Sequence, residues 1–440
     1  MLSLSFRDET TTVVKKYQNQ HKSLEDESLQ IFLAADQSPP GLSSPQSLFE
    51  PINEVAMTHF VNSFVSGSHF DYLPGLYSKT SIMTPLQSSM YASALANLAR
   101  ERCESDMMRT AQSYYGQALR QTKKALLSEQ ATQDSTLVSV LILSLYETIA
   151  LSDQISIKSW DTHTEGAVSL LQLRGLESLQ TDMGQKLYIQ VSNNIRVSCV
   201  QRAVPLPTRF VELDKQVSAF LDHSNPVLQF WPIVDAFIHL QIMDRSRDLY
   251  EPMTILKQAL MLEQMLMDLT NGLSSSGVYE VLEHENIPKE AFEESAHWYK
   301  DHRVARLWNT IRMTRIFVNE VLYEQSSILM ETQTPTESTS WTAIQLLSTK
   351  TATDAATGIL ASVPQFIQKP KEQNLHPLKV STVSGLVWPL SAVGASNLVS
   401  EEARKYAIQT LLVIGRDARL PSATKIAEKI EMGVIDGLSW

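Results

Sequence analysis

Glycine is scarce, cysteine nearly absent, and no apolar run is long enough to cross a membrane. Only 15 of the 440 residues are glycine, and few stretches alternate apolar with polar side chains. Both features disfavour sandwiches, barrels and phosphate-gripping α/β folds, which depend on tight turns and half-buried strands. Cys103 and Cys199 are the only thiols. Two are too few for a disulfide framework and stand too far apart for a zinc-holding pair, so a reducing intracellular compartment is expected. The longest greasy stretch, Leu137–Tyr146, carries two serines. It falls well short of the roughly 20 residues that span a bilayer, so a buried helix is expected there. Near the start, Arg7, Asp8 and Glu9 interrupt the apolar residues and argue against a signal segment.

Positive charge is also in short supply. Against 37 Lys and Arg stand 48 Asp and Glu, a formal net charge of −11. Lys15, Lys16 and Lys22 form a thin cluster with Glu25, Asp26 and Glu27 close behind, and Lys123–Lys124 stand alone. Nucleic-acid affinity is largely phosphate neutralisation, so direct binding to DNA or RNA is disfavoured. Catalytic motifs are missing as well. The ten histidines include no HExxH, and the closest pair, His297 and His302, is five apart. There is no GxSxG, no GxGxxG and no glycine-rich loop ending in Lys-Ser/Thr. Glu283 or Glu285 beside His284 imitates an acid–histidine pair, but such neighbours arise by chance. No catalytic residue, cofactor site or metal site is assigned.

What the chain does have is 43% hydrophobic residues, enough for a sizeable core. The expected fold class is all-α: a large multi-helix, bundle-like domain behind a flexible N-terminal arm. Asp36–Pro51 holds four prolines and little to bury, which divides the chain into an arm and linker, 1–50, and a helical body, 51–440. Met108, Ala111, Tyr115, Ala118, Thr122 and Leu126 recur at steps of three and four, one face of a helix. Thr132 is a candidate N-cap for the next helix. There Leu137, Leu141, Leu145 and Ile149 form a stripe that Val140, Ile142 and Leu143 widen, so this helix belongs in the middle of the bundle. Two polar stretches, 331–340 and 369–378, are expected as loops.

From Ser159 to Gly175 the sequence is SWDTHTEGAVSLLQLRG. Trp160, His163, Ala167, Leu170 and Leu171 lie near one helical face, Gly166 admits a close backbone, and Leu173 sits off that face toward a second neighbour. Arg174 suits the negative end of the helix dipole, and Gly175 suits a left-handed closing position. Trp160 and His163 are expected to make a packed helix contact, with effector contact as the sharper alternative. This segment resembles the signature of the fungal-specific transcription factor domain, W-x-x-H-x-x-G-A-x-x-L-L-x-x-R-G. Ser113–Leu126, Thr136–Glu147 and Ser384–Ser396 are similar to further helices of that family in the same order. The resemblance implies a helical regulatory region, a nuclear location, and partners that are a second copy, another transcription regulator or a small-molecule effector; no membrane contact is implied. Family members pair this region with a six-cysteine zinc cluster that reads DNA, and two cysteines are too few to build one.

Arg315 is a further candidate. Within Asp301–Tyr323, the stripe of Val304, Leu307, Trp308, Ile311, Val318 and Leu322 takes in Arg315 at about 100° per residue. Arg306 is expected to point away, with Arg303 and Arg312 at opposite edges. A buried guanidinium needs compensation, so a carboxylate or acidic ligand is expected beside Arg315. The rival readings are a small-molecule binder or enzyme on the same helical scaffold, and a pure scaffold protein.

Overall fold

Helical periodicity in the sequence becomes fourteen α-helices among the described residues. The computed structural model describes residues 52–434 apart from 66–69, 78–82, 151–156, 275–278, 283–286, 289–290, 333–337 and 368–377. The expected arm and its whole linker lie outside these residues, as do Glu283, His284 and Glu285. The chain divides into two units, Met1–Glu54 and Val55–Trp440. After α1, Ile52–Phe60, every helix lies in the second.

The helix α2, Pro85–Arg102, begins with a reciprocal capping box. The Thr84 side chain accepts from the Gln87 backbone N–H, and the Gln87 side chain accepts from the Thr84 backbone N–H. Two backbone donors left over at the helix start are thereby satisfied. Every residue of α2 from Leu86 to Ala99 is buried, many of them alanine or serine. Small side chains let both neighbours approach closely: α3, Ser105–Leu126, and α4, Asp134–Ala150. In α3 the buried positions are Ala111, Ala118, Thr122 and Ala125, the inner side of the expected stripe. The middle of α4 is buried from Thr136 to Leu143, as its apolar girth requires. Thr132 does not cap α4: it closes a short 3-10 turn, Glu129–Thr132, ahead of a helix that starts at Asp134. The Tyr115 and Tyr146 rings stack at 4.3 Å between α3 and α4, and the Tyr115 hydroxyl donates to Glu147 at 2.6 Å.

Next come α5, Ile157–Arg174, and α6, Asp182–Arg202, joined by a tight turn. Gly184 in α6 has no room for a side chain, since an added Cβ would lie 1.8 Å from the Ser178 carbonyl. After the short α7, Thr208–Val217, the chain enters α8, Pro226–Arg245, capped by Asn225. This helix joins two cores. Leu228, Trp231 and Ile238 pack into the first, with residues of α2 to α7. Phe230, Ile233, Phe237, Leu240 and Met243 pack into another, with α9, Pro252–Ser274.

A minimal antiparallel pair, β1 Tyr279–Val281 and β2 His297–Tyr299, sets Tyr279 opposite Tyr299 and Val281 opposite His297. Then come α10, His302–Thr332; α11, Ser338–Ile367; α12, Val380–Ala395; α13, Glu401–Asp417; and α14, Pro421–Glu431. The long α10 packs on α8, α9, α11 and α12. A helix gripped from so many sides has no wide solvent face, and polar residues on its flanks are driven inward. A third core gathers α10 to α14 around Ile359, Leu386, Leu390 and Leu411, all fully buried. At about 2–5 kcal/mol for truncating such a leucine to alanine, these interlocked cores dominate the stability of the body. No described helix is long and apolar enough to cross a membrane.

Candidate functional site

The segment around Trp160 is helical, as its pattern requires: α5 runs through it to Arg174. The side chains of Trp160 and His163 lie outside the described residues. Gly166 is half-buried, while Ala167, Leu170 and Leu171 are buried in the first core. Leu173 does not meet a second neighbour; it is exposed to solvent. Arg174 turns inward and pairs with Asp134 at the start of α4, tying the two helices together. Gly175 has φ +68° and ψ 176°. That is a positive-φ, extended conformation open essentially to glycine alone, not the left-handed helical well expected.

On α10, Arg306 and Arg312 take different places from those the stripe suggests, while Arg303 keeps an exposed edge. Arg315 is paired through Nε and Nη2 with Glu263 of α9, at 2.9 Å for Nε. Asn319 donates to the same carboxylate at 3.0 Å. The acid expected beside Arg315 is therefore a residue of this chain. The most buried arginine of this helix is Arg312, 8% exposed. Its Nη1 donates to the Tyr299 hydroxyl at 2.5 Å and the Gly358 carbonyl at 2.9 Å. The rings of Tyr279, Trp308 and Tyr299 surround its guanidinium at 5.3 to 5.8 Å. Among the described residues no carboxylate pairs with it. Nor does Arg306 point away from the packing: it donates to the Ser381 carbonyl of α12 and lies against Gly385, where a Cβ would meet its Nε at 2.7 Å. Burial, then the nearby Arg303, lower the Arg306 pKa. The stripe failed here because α12 covers the flank that solvent was expected to occupy.

A second buried guanidinium sits on α6. Arg196 donates from Nε to Asp235 at 2.8 Å and from Nη2 to Asp214 at 2.8 Å, and lies 4.3 Å from the Trp231 ring centroid. Burial draws its pKa down, but the bonds and charges of Asp235 and Asp214 outweigh this and leave it raised. Protein groups surround both guanidiniums and the clusters serve packing, although Arg196 Nη1 is buried without a hydrogen-bond partner among the described residues.

Open space lies elsewhere. A cleft of about 1060 Å³ opens between the end of α8, the flank of α10 and the ends of α12 and α14. Gln241 and Asp244 reach it from α8, and Asp248 from the turn that follows. Glu320, Tyr323, Glu324 and Ser327 come from α10 at helical spacing, and Arg404 from α13. Val321, Ala395 and Ile430 supply apolar lining. Arg247 is the clamp: its Nη2 donates to Glu324 at 2.7 Å and to Asp244 at 3.1 Å. Hydrogen bonding to Glu324 is the leading reason its pKa rises further. Gln325 adds a 3.3 Å bond to Asp244, which is 6% exposed. Sequence analysis missed this cleft. The acids and arginines of 241–248 and 320–327 look like ordinary helix surface until the fold sets them face to face. Among the described residues no group of three or more His, Cys, Asp and Glu is placed to hold a metal ion. The cleft offers binding by charge and hydrogen bonds.

Comparison with known proteins adds one result. Nothing among curated proteins or solved structures matches the chain. The Ser384–Ser396 resemblance lies beyond the residues that a family model matches. Residues 46–197, from before α1 to near the end of α6, match the model of the Fungal specific transcription factor domain.

Proposed function

We propose that this chain is the regulatory part of a nuclear transcription regulator, acting through contacts with another regulator or a small-molecule effector and not by gripping DNA itself. The match over residues 46–197 carries this reading. The net charge of −11 supports the indirect route, because phosphate neutralisation needs a basic surface. DNA is then reached through a partner that supplies basic charge, and helix faces of the body provide the contact. The 1060 Å³ cleft favours a small-molecule effector as one input, since ligands commonly lodge between bundle helices. Two experiments test the proposal. Tagged chain captured from native nuclei should bring down another transcription regulator. Purified chain titrated with duplex DNA should show only weak association; tight binding with a steep salt dependence, or exclusion of the chain from nuclei, overturns the reading.

A further inference from the structure

The outer face of α9 carries a pattern that no contact among the described residues uses. Its inner face, at Ile255, Leu256, Ala259, Leu262 and Leu266, is buried in the core shared with α8 and α10. Opposite lie Thr254, Lys257, Met261, Gln264, Asp268 and Asn271, all exposed. Their alternating steps of three and four trace a heptad seam, the spacing by which one helix lies along another. Leu260 and Met267, one heptad apart, flank this seam on the same side. With Met261 they are exposed apolar side chains that join none of the three cores.

The charges on the seam identify its occupant. Among the described residues Lys257 has no ion-pair partner, and Asp268 accepts only from Gln264 of its own helix, at 2.8 Å. An antiparallel copy of α9, centred between Met261 and Gln264, sets Met261 against Gln264 of the second copy. The same register sets Thr254 against its Asn271 and Lys257 against its Asp268. A two-fold axis makes each of these contacts twice, so opposite charges meet at both ends. On the flank, Leu260 of each copy meets Met267 of the other, and four apolar side chains leave water together. A parallel copy would oppose lysine to lysine and aspartate to aspartate, which is repulsive. An unrelated helix has no reason to carry the mirrored charges that a second copy has by construction.

We propose that a second copy of this chain docks on this face, α9 against α9 in antiparallel register. From Thr254 to Asn271 the seam spans about 26 Å at 1.5 Å per residue. A contact centred on one helix pair of that length falls in the small, reversible class, so a dissociation constant in the micromolar range is expected. Self-association goes beyond the regulatory reading, which is tested in nuclei, and it is measured on the purified chain alone. Sedimentation equilibrium of the full chain over a range of concentrations should show monomer and dimer in exchange. Lys257→Asp turns both charge contacts repulsive and should weaken the dimer by about tenfold or more. Adding Asp268→Lys restores opposite charges and should recover the native constant to within about threefold. Both residues are exposed, so the variants are expected to fold, which circular dichroism checks. A chain that stays monomeric at every soluble concentration overturns the proposal, including where a foreign helix or another part of this chain covers the face. So does a dimer indifferent to Lys257→Asp, or a loss that the double variant fails to repair.

Discussion

Among the described residues, Arg196 and Arg312 are both buried, and the fold compensates them in opposite ways. Arg196, at the end of the family-matched stretch, is bracketed by the carboxylates of Asp214 and Asp235. Arg312, beyond that stretch, has three aromatic faces, a hydroxyl and a backbone carbonyl, with no carboxylate among the described residues. The first arrangement is an ion-pair network of one guanidinium and two carboxylates, in which loss of one member leaves charges behind. The second is a cation held by dipoles and ring quadrupoles, in which loss of the cation orphans only neutral groups. Equal burial therefore does not mean equal consequence.

Replacing each arginine with methionine tests this most directly. Arg196→Met is expected to cost about 3 kcal/mol, at the low end for a broken buried pair because both aspartates keep some solvent contact. Urea unfolding followed by circular dichroism measures it. Arg312→Met should cost less, roughly 1–2 kcal/mol. If the order of the two were reversed, the contrast would collapse.

Gly358→Ala gives a second handle on the Arg312 cage. An added Cβ would meet Arg312 Nε at 2.5 Å and Cζ at 2.8 Å. About 1–2 kcal/mol of overpacking is expected in the native background. The penalty should shrink measurably in a double variant with Arg312→Met, as a double-mutant cycle would show. An additive pair would mean that the guanidinium yields freely.

Acidification sharpens the comparison more gently. Burial, then the charge of Arg312, hold the His297 pKa down to about 4 from its ordinary 6.5. The unfolded chain therefore takes up this proton before the folded chain does. The contribution to stability is intact above about pH 6.5, declines as pH falls toward 4, and levels off below that. His302 is shifted in the same direction, chiefly by burial. Unfolding midpoints measured across this window should fall less steeply in His297→Phe than in the native protein. The smallest effect is expected in the cleft: Gln241→Leu removes an unpaired buried oxygen and should change stability by no more than about 0.5 kcal/mol. A large loss would show that the amide is structural.

Much of the helical body was legible in the chain. The α3 stripe, the buried girth of α4 and the helix through Trp160–Arg174 each follow from local periodicity, which reports a single helix against an undifferentiated apolar surround. The candidate site was not legible, and Arg312 shows why. A helical wheel assigns one buried face and one wet face, but α10 is gripped by four helices, so the edge that holds Arg312 became interior. Thr132 failed for a related reason: a 3-10 turn took the place where a cap was expected. The carboxylate beside Arg315 followed from burial alone, while its identity as Glu263 did not.

The sequence by itself determined that this protein is helical, that its cores are apolar, and that residues 46–197 carry a recognisable family pattern. Those properties rest on spacing along the chain, where side-chain chemistry and 3.6-residue periodicity act locally. Tertiary structure alone decided which charges meet. Gln241 and Glu324 are far apart in sequence, and only the packing of α8 against α10 brings them to one cleft. Electrostatic and hydrogen-bond energies depend on distance in space, which no linear pattern records.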